Sequence, residues 1–162
     1  QIVVALVEGP AYAGGLGLVC CSDFVFATRN AVFSISETKI GLTPAQITPY
    51  IVDRIGKRLA RRLMLSGDRF GANKAKSYGL VDEILKNEKE LSQYFEIFKD
   101  NLRAVAPRAV GVTKKILLEI DTLSPKERSN YLAKKFADCM ISDEAKEGLA
   151  AFSERRAPNW TT

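Results

Sequence analysis

The sequence predicts an α/β fold in its first half and a helical region in its second. Three observations carry this reading. Residues 2–7 are a short, β-branched apolar run halted by Glu8-Gly9-Pro10, the pattern of a buried strand. Up to residue 85, further short apolar runs alternate with segments whose apolar residues recur at helical spacing. From residue 86 onward only helical patterns follow, each opened by an acidic, Pro or Ser start signal. Residues 1–85 are therefore read as an α/β part and residues 86–162 as a helical part.

Taken in order, the strand at 2–7 leads into a Gly-rich helix expected over residues 13–21. Three glycines, Gly14, Gly15 and Gly17, weaken its propensity, so tertiary packing must hold it. Residues 24–27 and 31–34 read as strands about the turn Thr28-Arg29-Asn30. Helices are expected over 45–54 and 57–66, separated by Gly56, and over 72–78, closed by Gly79. Residues 80–85 read as a strand. Helices over 88–105 and 107–120 follow, with Pro107 suited to a first helical turn. Ser124-Pro125-Lys126-Glu127 is a capping box that starts a helix to 140, and Ser142-Asp143-Glu144 opens the last one.

Composition narrows the chemistry. With 162 residues, 46% hydrophobic and 27% charged, the chain has the make-up of a globular domain. A net charge of +5 permits contact with nucleic acid, an anionic surface or a polyanionic ligand without choosing among them. Histidine is absent, which removes Ser-His and Cys-His nucleophiles and most metal sites. Acid/base work must then rest on carboxylates, Lys, Tyr or backbone groups. Cys20, Cys21 and Cys139 lack metal-ligand spacing; the adjacent pair reads as buried small hydrophobes in a reducing, intracellular setting. No apolar run reaches membrane-spanning length, so no membrane span is expected. The opening residues look like a strand rather than a leader, as though a longer chain had been truncated.

Two features could carry chemistry. Gly14-Gly15 opens a helix, where backbone N–H groups are unpaired and no side chain obstructs a ligand. Such N–H groups can hold an oxygen that becomes negative during a reaction; equally, the glycines can serve close helix-strand packing. Glu37, between two short elements, is placed either for proton transfer or for solvated capping. The order strand, Gly-Gly helix start, Asp23, two strands, Glu37, Gly41, helix is more specific than either residue alone.

The stretch VVALVEGPAYAGGLGLVCCSDFVFATRNAVFSISETKIGLTP resembles the signature region of the crotonase (enoyl-CoA hydratase/isomerase) family. RIGKRLARRLMLSGDRFGANKAKSYGLVDEIL and SDEAKEGLAAFSERRAPNW continue the likeness to the end of the chain. The resemblance implies a spiral of ββα units that binds acyl-CoA thioesters and holds the thioester oxygen as an enolate on two backbone N–H groups. Gly14 matches the second of those donors and Glu37 one of the family's two acid/base glutamates. Substrate contacts are implied at Gly15, Pro44 and Phe152. Coenzyme A is then part of the substrate, with no separate cofactor and no metal. Residues 1–85 would be the C-terminal part of the spiral core and 86–162 a trimerisation region, giving a homotrimer or hexamer. The family's amino-terminal segment, which supplies the first N–H donor, is expected as a missing partner from the same protein.

One position departs from the pattern: many hydratases carry a second glutamate where this chain has Gly17. A single glutamate suits the family's double-bond isomerases, yet Gly-Leu-Gly and the turn at residues 43–50 resemble hydratases of branched glutaconyl-CoA thioesters from leucine and acyclic terpene breakdown. Hydration of a 2-enoyl-CoA is the first expectation and isomerisation the second. RNA binding or a non-catalytic structural role is a third reading, although no basic-aromatic alternation or RNP-like motif supports nucleic acid. The basic stretch Lys57, Arg58, Arg61 and Arg62 could meet CoA phosphates or simply face solvent. Arg155 and Arg156 beside Phe152 could touch a neighbouring subunit's CoA. Asp23 is expected to pair with backbone and Trp160 to anchor the tail. A cytoplasmic location is expected, or the mitochondrial matrix in a eukaryote.

Overall fold

The apolar run at the start of the chain forms β1 (Val4–Val7) in the computed structural model, which describes residues 1–161. β1 pairs in parallel with β3 (Phe24–Thr28), and β3 in parallel with β6 (Glu83–Leu85), giving a sheet of order β1-β3-β6. A second sheet is built from β2 (Pro10–Tyr12), β4 (Val32–Ser34) and β5 (Arg69–Gly71), with β4 parallel to β2 and antiparallel to β5. Between the strands run α1 (Gly14–Cys20), α2 (Thr48–Ile55), α3 (Lys57–Ser66) and α4 (Ala72–Ser77), followed by α5 (Glu88–Arg103). The chain divides into two compact units, Ile2–Phe95 and Glu96–Thr162 with Gln1.

In the first unit, Val25, Phe33, Ile35, Ile51 and Leu80 are sealed from solvent. Phe33 stacks on Phe70 at 5.7 Å between ring centroids, and Phe70 meets Tyr78 at 5.5 Å, so β4, β5 and the end of α4 share one aromatic cluster. Phe26 meets Tyr94 of α5 edge-on at 5.0 Å.

Arg54, near the end of α2, ties this unit together by polar contacts. Its guanidinium donates to the carbonyls of Ser22 at 3.1 Å, Asp23 at 3.5 Å and Leu80 at 3.1 Å, and to Asp82 at 3.1 Å. The same Asp82 oxygen accepts the Val25 N–H at 2.7 Å. Asp23 likewise accepts the Val3 N–H at 2.7 Å, the backbone pairing expected of it. Two chain connections, α1 to β3 and α4 to β6, thereby satisfy backbone carbonyls through one cation whose side chain is only 15% exposed.

The structure adjusts several expectations. β2 and β5 are absent from the sequence reading because each is three residues long and bordered by Pro or Gly. α2 begins at Thr48 rather than 45. The residues before it form a turn in which the Pro44 carbonyl accepts from Ile47 N–H at 3.2 Å, Thr48 N–H at 3.0 Å and Thr48 Oγ1 at 2.8 Å. Leu80 and Val81 donate back to the Ala75 carbonyl, so β6 shortens to Glu83–Leu85. Of the adjacent cysteines only Cys20 is buried, and burial pushes its thiol up to about 12; Cys21 is exposed, contrary to expectation, because it follows the last turn of α1.

The second unit holds α6 (Pro107–Glu119), α7 (Pro125–Met140) and α8 (Asp143–Glu154). The expected capping box forms at Ser124 and Glu127. Glu144 in the first turn of α8 accepts the Arg108 and Ala109 N–H groups at 2.9 and 2.8 Å, capping α6. Trp160 anchors the tail as expected, donating to the Ala104 carbonyl at 3.2 Å and packing over Gly148. No helix among the described residues is long and apolar enough to cross a membrane.

Arg54→Met leaves three carbonyls and Asp82 without their shared donor, so unfolding free energy in urea should fall by about 3 kcal/mol. Arg58→Met, on an exposed position of α3, should change it by less than about 0.5 kcal/mol.

Candidate active site

Strands β2 and β4 run in parallel with Tyr12 opposite Ser34, so their carboxyl ends lie side by side. The pairing continues one step further: Ala13 N–H donates to the Ser34 carbonyl at 3.0 Å. Gly14 follows on one strand and Ile35-Ser36-Glu37 on the other. The edge where parallel strands end is a recurrent place for ligands in α/β folds. The sequence-expected pair, Gly14 and Glu37, therefore emerges from adjacent strands at one end of one sheet.

Only Ala13 separates β2 from α1. The chain must turn from extended to helical within that residue, and it does so at φ 49° and ψ −122°. This is a region that L-residues enter at a cost of about 1–3 kcal/mol. The turn leaves the first N–H groups of α1 without helical acceptors. Gly14 N–H makes no hydrogen bond among the described residues, and Gly14 and Gly15 are both exposed. A ligand oxygen can reach that N–H with no side chain in the way.

Glu37 opens a short 3-10 turn, Glu37–Ile40. That turn is fastened on three sides. Leu42 N–H donates to the Glu37 carbonyl at 3.0 Å, Thr38 Oγ1 donates to the Met64 carbonyl at 3.0 Å, and the Lys39 stem lies over Gly67. Ser34 Oγ adds a bond to the Gly67 carbonyl at 3.2 Å. With its backbone fixed, the Glu37 side chain presents a carboxylate oxygen, Oε2, that is shielded from water and has no hydrogen-bond partner among the described residues. Leaving a buried acceptor unmade costs about 1–3 kcal/mol, so such a group calls for an explanation.

Pro44 is buried and shapes the turn before α2 through its carbonyl. Phe152 is 86% exposed on α8, in the other unit. Lys57, Arg58, Arg61 and Arg62 are all exposed on α3. No group of His, Cys, Asp or Glu among the described residues is arranged to hold a metal ion. The sequence shows Ala13 only as the start of a helix and Ile47 only as part of the turn at residues 43–50. Ala13 carries the strained turn, for which a lone alanine gives no signal. Ile47 lies against Gly17, a contact that depends on tertiary structure.

The family model for enoyl-CoA hydratase/isomerase matches residues 1–162. Enoyl-CoA hydratase EchA19 of Mycobacterium tuberculosis is 33% identical over 159 residues, which cover 98% of this chain and 59% of that protein. Among solved structures, an enoyl-CoA hydratase/isomerase from Marinobacter aquaeolei superposes with a TM-score of 0.95 at 36% identity, covering 100% of this chain and 61% of the other. Pseudomonas aeruginosa AtuE superposes with a TM-score of 0.97 at 39% identity, covering 100% and 63%. The chain belongs to the enoyl-CoA hydratase/isomerase family and has its crotonase fold, with a helical tail. It spans about three fifths of the length of these relatives.

Because Ala13 holds a positive φ that glycine adopts freely, Ala13→Gly should raise unfolding free energy by about 1 kcal/mol, and Ala13→Val should lower it by about 2 kcal/mol. Paired thermal and urea melts check both signs.

Proposed function

We propose that this chain carries the acid/base carboxylate and one enolate-binding N–H of a 2-enoyl-CoA hydratase. The observation that carries the reading is Glu37 Oε2, an acceptor buried without a partner on a turn fastened beside the strand end that leads into Gly14. A carboxylate held in this way is matched to a proton that arrives with a substrate.

In the proposed reaction Glu37 takes a proton from water while the water oxygen forms a bond to Cβ of the enoyl thioester. The electron pair of the double bond moves onto the thioester oxygen, which becomes an enolate beside Gly14 N–H. Glu37 then returns its proton to Cα. One water is added, one C=C is lost, and the carboxylate is regenerated. A preorganised N–H aimed at such an oxygen lowers the barrier by about 2.7–4 kcal/mol. Gly15 and the turn at Pro44 flank the acyl group, and a branched glutaconyl-type chain is the proposed substrate.

Isomerisation is the second reading, favoured by the absence of a side chain at Gly17. There Glu37 would remove a proton from one carbon and return it to another, with no water consumed.

A homotrimer or hexamer, with Phe152 reaching a neighbouring subunit's CoA, is part of the proposal. It is supported by the apolar side chains that the second unit leaves exposed, Leu117, Leu118, Phe136, Ile141 and Leu149 besides Phe152.

The test is turnover of 2-enoyl-CoA thioesters by the whole protein that carries this chain. Glu37→Gln should lower kcat by about 10²- to 10⁴-fold with KM little changed. Turnover within twofold of the parent would remove Glu37 from the chemistry. Conversion of a 3-enoyl thioester without hydration of the 2-enoyl thioester would select the isomerase.

A further inference from the structure

Gly17 lies three residues after Gly14 on α1, so the two share a face of that helix. It is buried although it has no side chain. The group over it is Ile47: a Cβ placed on Gly17 would stand 2.4 Å from Ile47 Cγ2 and 3.0 Å from Ile47 Cβ. Any side chain at position 17 would collide with this isoleucine. Ile47 is itself only partly buried, packing on the edge of the core. It also ends the connector that Glu37 begins. Leu42 N–H donates to the Glu37 carbonyl at 3.0 Å, and Ile47 N–H to the Pro44 carbonyl at 3.2 Å. The segment that starts at the carboxylate therefore finishes by laying a branched apolar side chain on the Gly14 face of α1.

We propose that Ile47 is a specificity-determining residue: seated on Gly17, it is the apolar wall that bounds the acyl group, and it fills the volume through which α1 could otherwise present a second polar side chain. This inference rests on the reading of Glu37 and Gly14 as the reacting site. Two consequences follow. Glu37 acts without a second carboxylate from α1, and the acyl substituent facing α1 is selected by shape and apolarity. An apolar wall discriminates by modest factors, on the order of tenfold per methylene.

The experiment uses the whole protein and a series of straight-chain and branched 2-enoyl-CoA thioesters. Ile47→Ala should shift the ratio of kcat/KM about tenfold toward the bulkier, branched chain, through KM. Ile47→Val, which removes one methylene and preserves the β-branch, should shift it in the same direction by less. Gly17→Ala should lower the melting temperature, and the double variant Gly17→Ala/Ile47→Ala should recover most of that loss. If Gly17→Ala costs nothing, or Ile47→Ala fails to rescue it, the contact is not as described and the inference falls. If Ile47→Ala lowers the melting temperature but leaves the chain-length profile unchanged while Glu37→Gln abolishes turnover, Ile47 only packs. That result overturns this inference alone. Full turnover in Glu37→Gln overturns the reading of the site, and this inference with it.

Discussion

The parallel pairing of β2 with β4, extended by the hydrogen bond from Ala13 N–H to the Ser34 carbonyl, is the constraint on which the candidate site depends. It is made wholly of backbone groups, so it fixes position without specifying side chains. Gly14 and Glu37 lie 23 positions apart in sequence and reach one strand end because this register brings them there. A slip of one residue would turn every side chain of β4 to the opposite face and remove Phe33 from its stack on Phe70. The aromatic cluster therefore locks the register, and the register sets the site.

Two buried side-chain polar atoms among the described residues lack partners, Glu37 Oε2 and Arg54 Nε, and they have different meanings. The Arg54 guanidinium already donates to Ser22, Asp23, Leu80 and Asp82 through its two terminal nitrogens. Its unpaired N–H is the remainder of a group whose charge is otherwise well accommodated. Glu37 has no such compensation: its carboxylate accepts no hydrogen bond among the described residues. The unpaired Arg54 N–H is the cost of closing two chain connections with one side chain. Glu37 is an acceptor held open, and its backbone is fastened by neighbours that gain nothing from the carboxylate itself.

Much of the fold was legible in the sequence because local chemistry specified it. Lys57–Ser66 begins and ends where Gly56 and Gly67, both at positive φ, interrupt the helical spacing. Pro107, the Ser124–Glu127 box and Ser142 each start the helix expected of them. What escaped was set by partners distant in sequence. β2 and β5 are too short to show an alternation, and they become strands only by pairing with β4. The start of α2 moved because Pro44 uses its carbonyl to close a turn first. Gly14 and Glu37 stood out only as members of an ordered series of residues, since a glycine pair or a lone glutamate is common. Ile47 was legible only as part of the turn at residues 43–50, since its contact with Gly17 depends on tertiary structure.

That last contact changes how Gly17 should be understood. A glycine in place of a polar residue can leave a hole that water fills, or it can be one half of a repacked pair. Water needs a cavity with two or more polar partners to be held there. The position facing Gly17 offers the methyl group of Ile47 at sub-van-der-Waals distance from where a Cβ would be, so there is neither space nor partner. Close packing makes this arrangement hard to change one residue at a time, because enlarging position 17 alone meets the isoleucine and shrinking position 47 alone opens a void. The two residues thus form a unit, and the face of α1 that begins with an unpaired N–H at Gly14 continues as apolar surface. On the proposed reading of the site, a thioester oxygen and an acyl chain would make the same pair of demands in the same order, one polar contact followed by hydrocarbon.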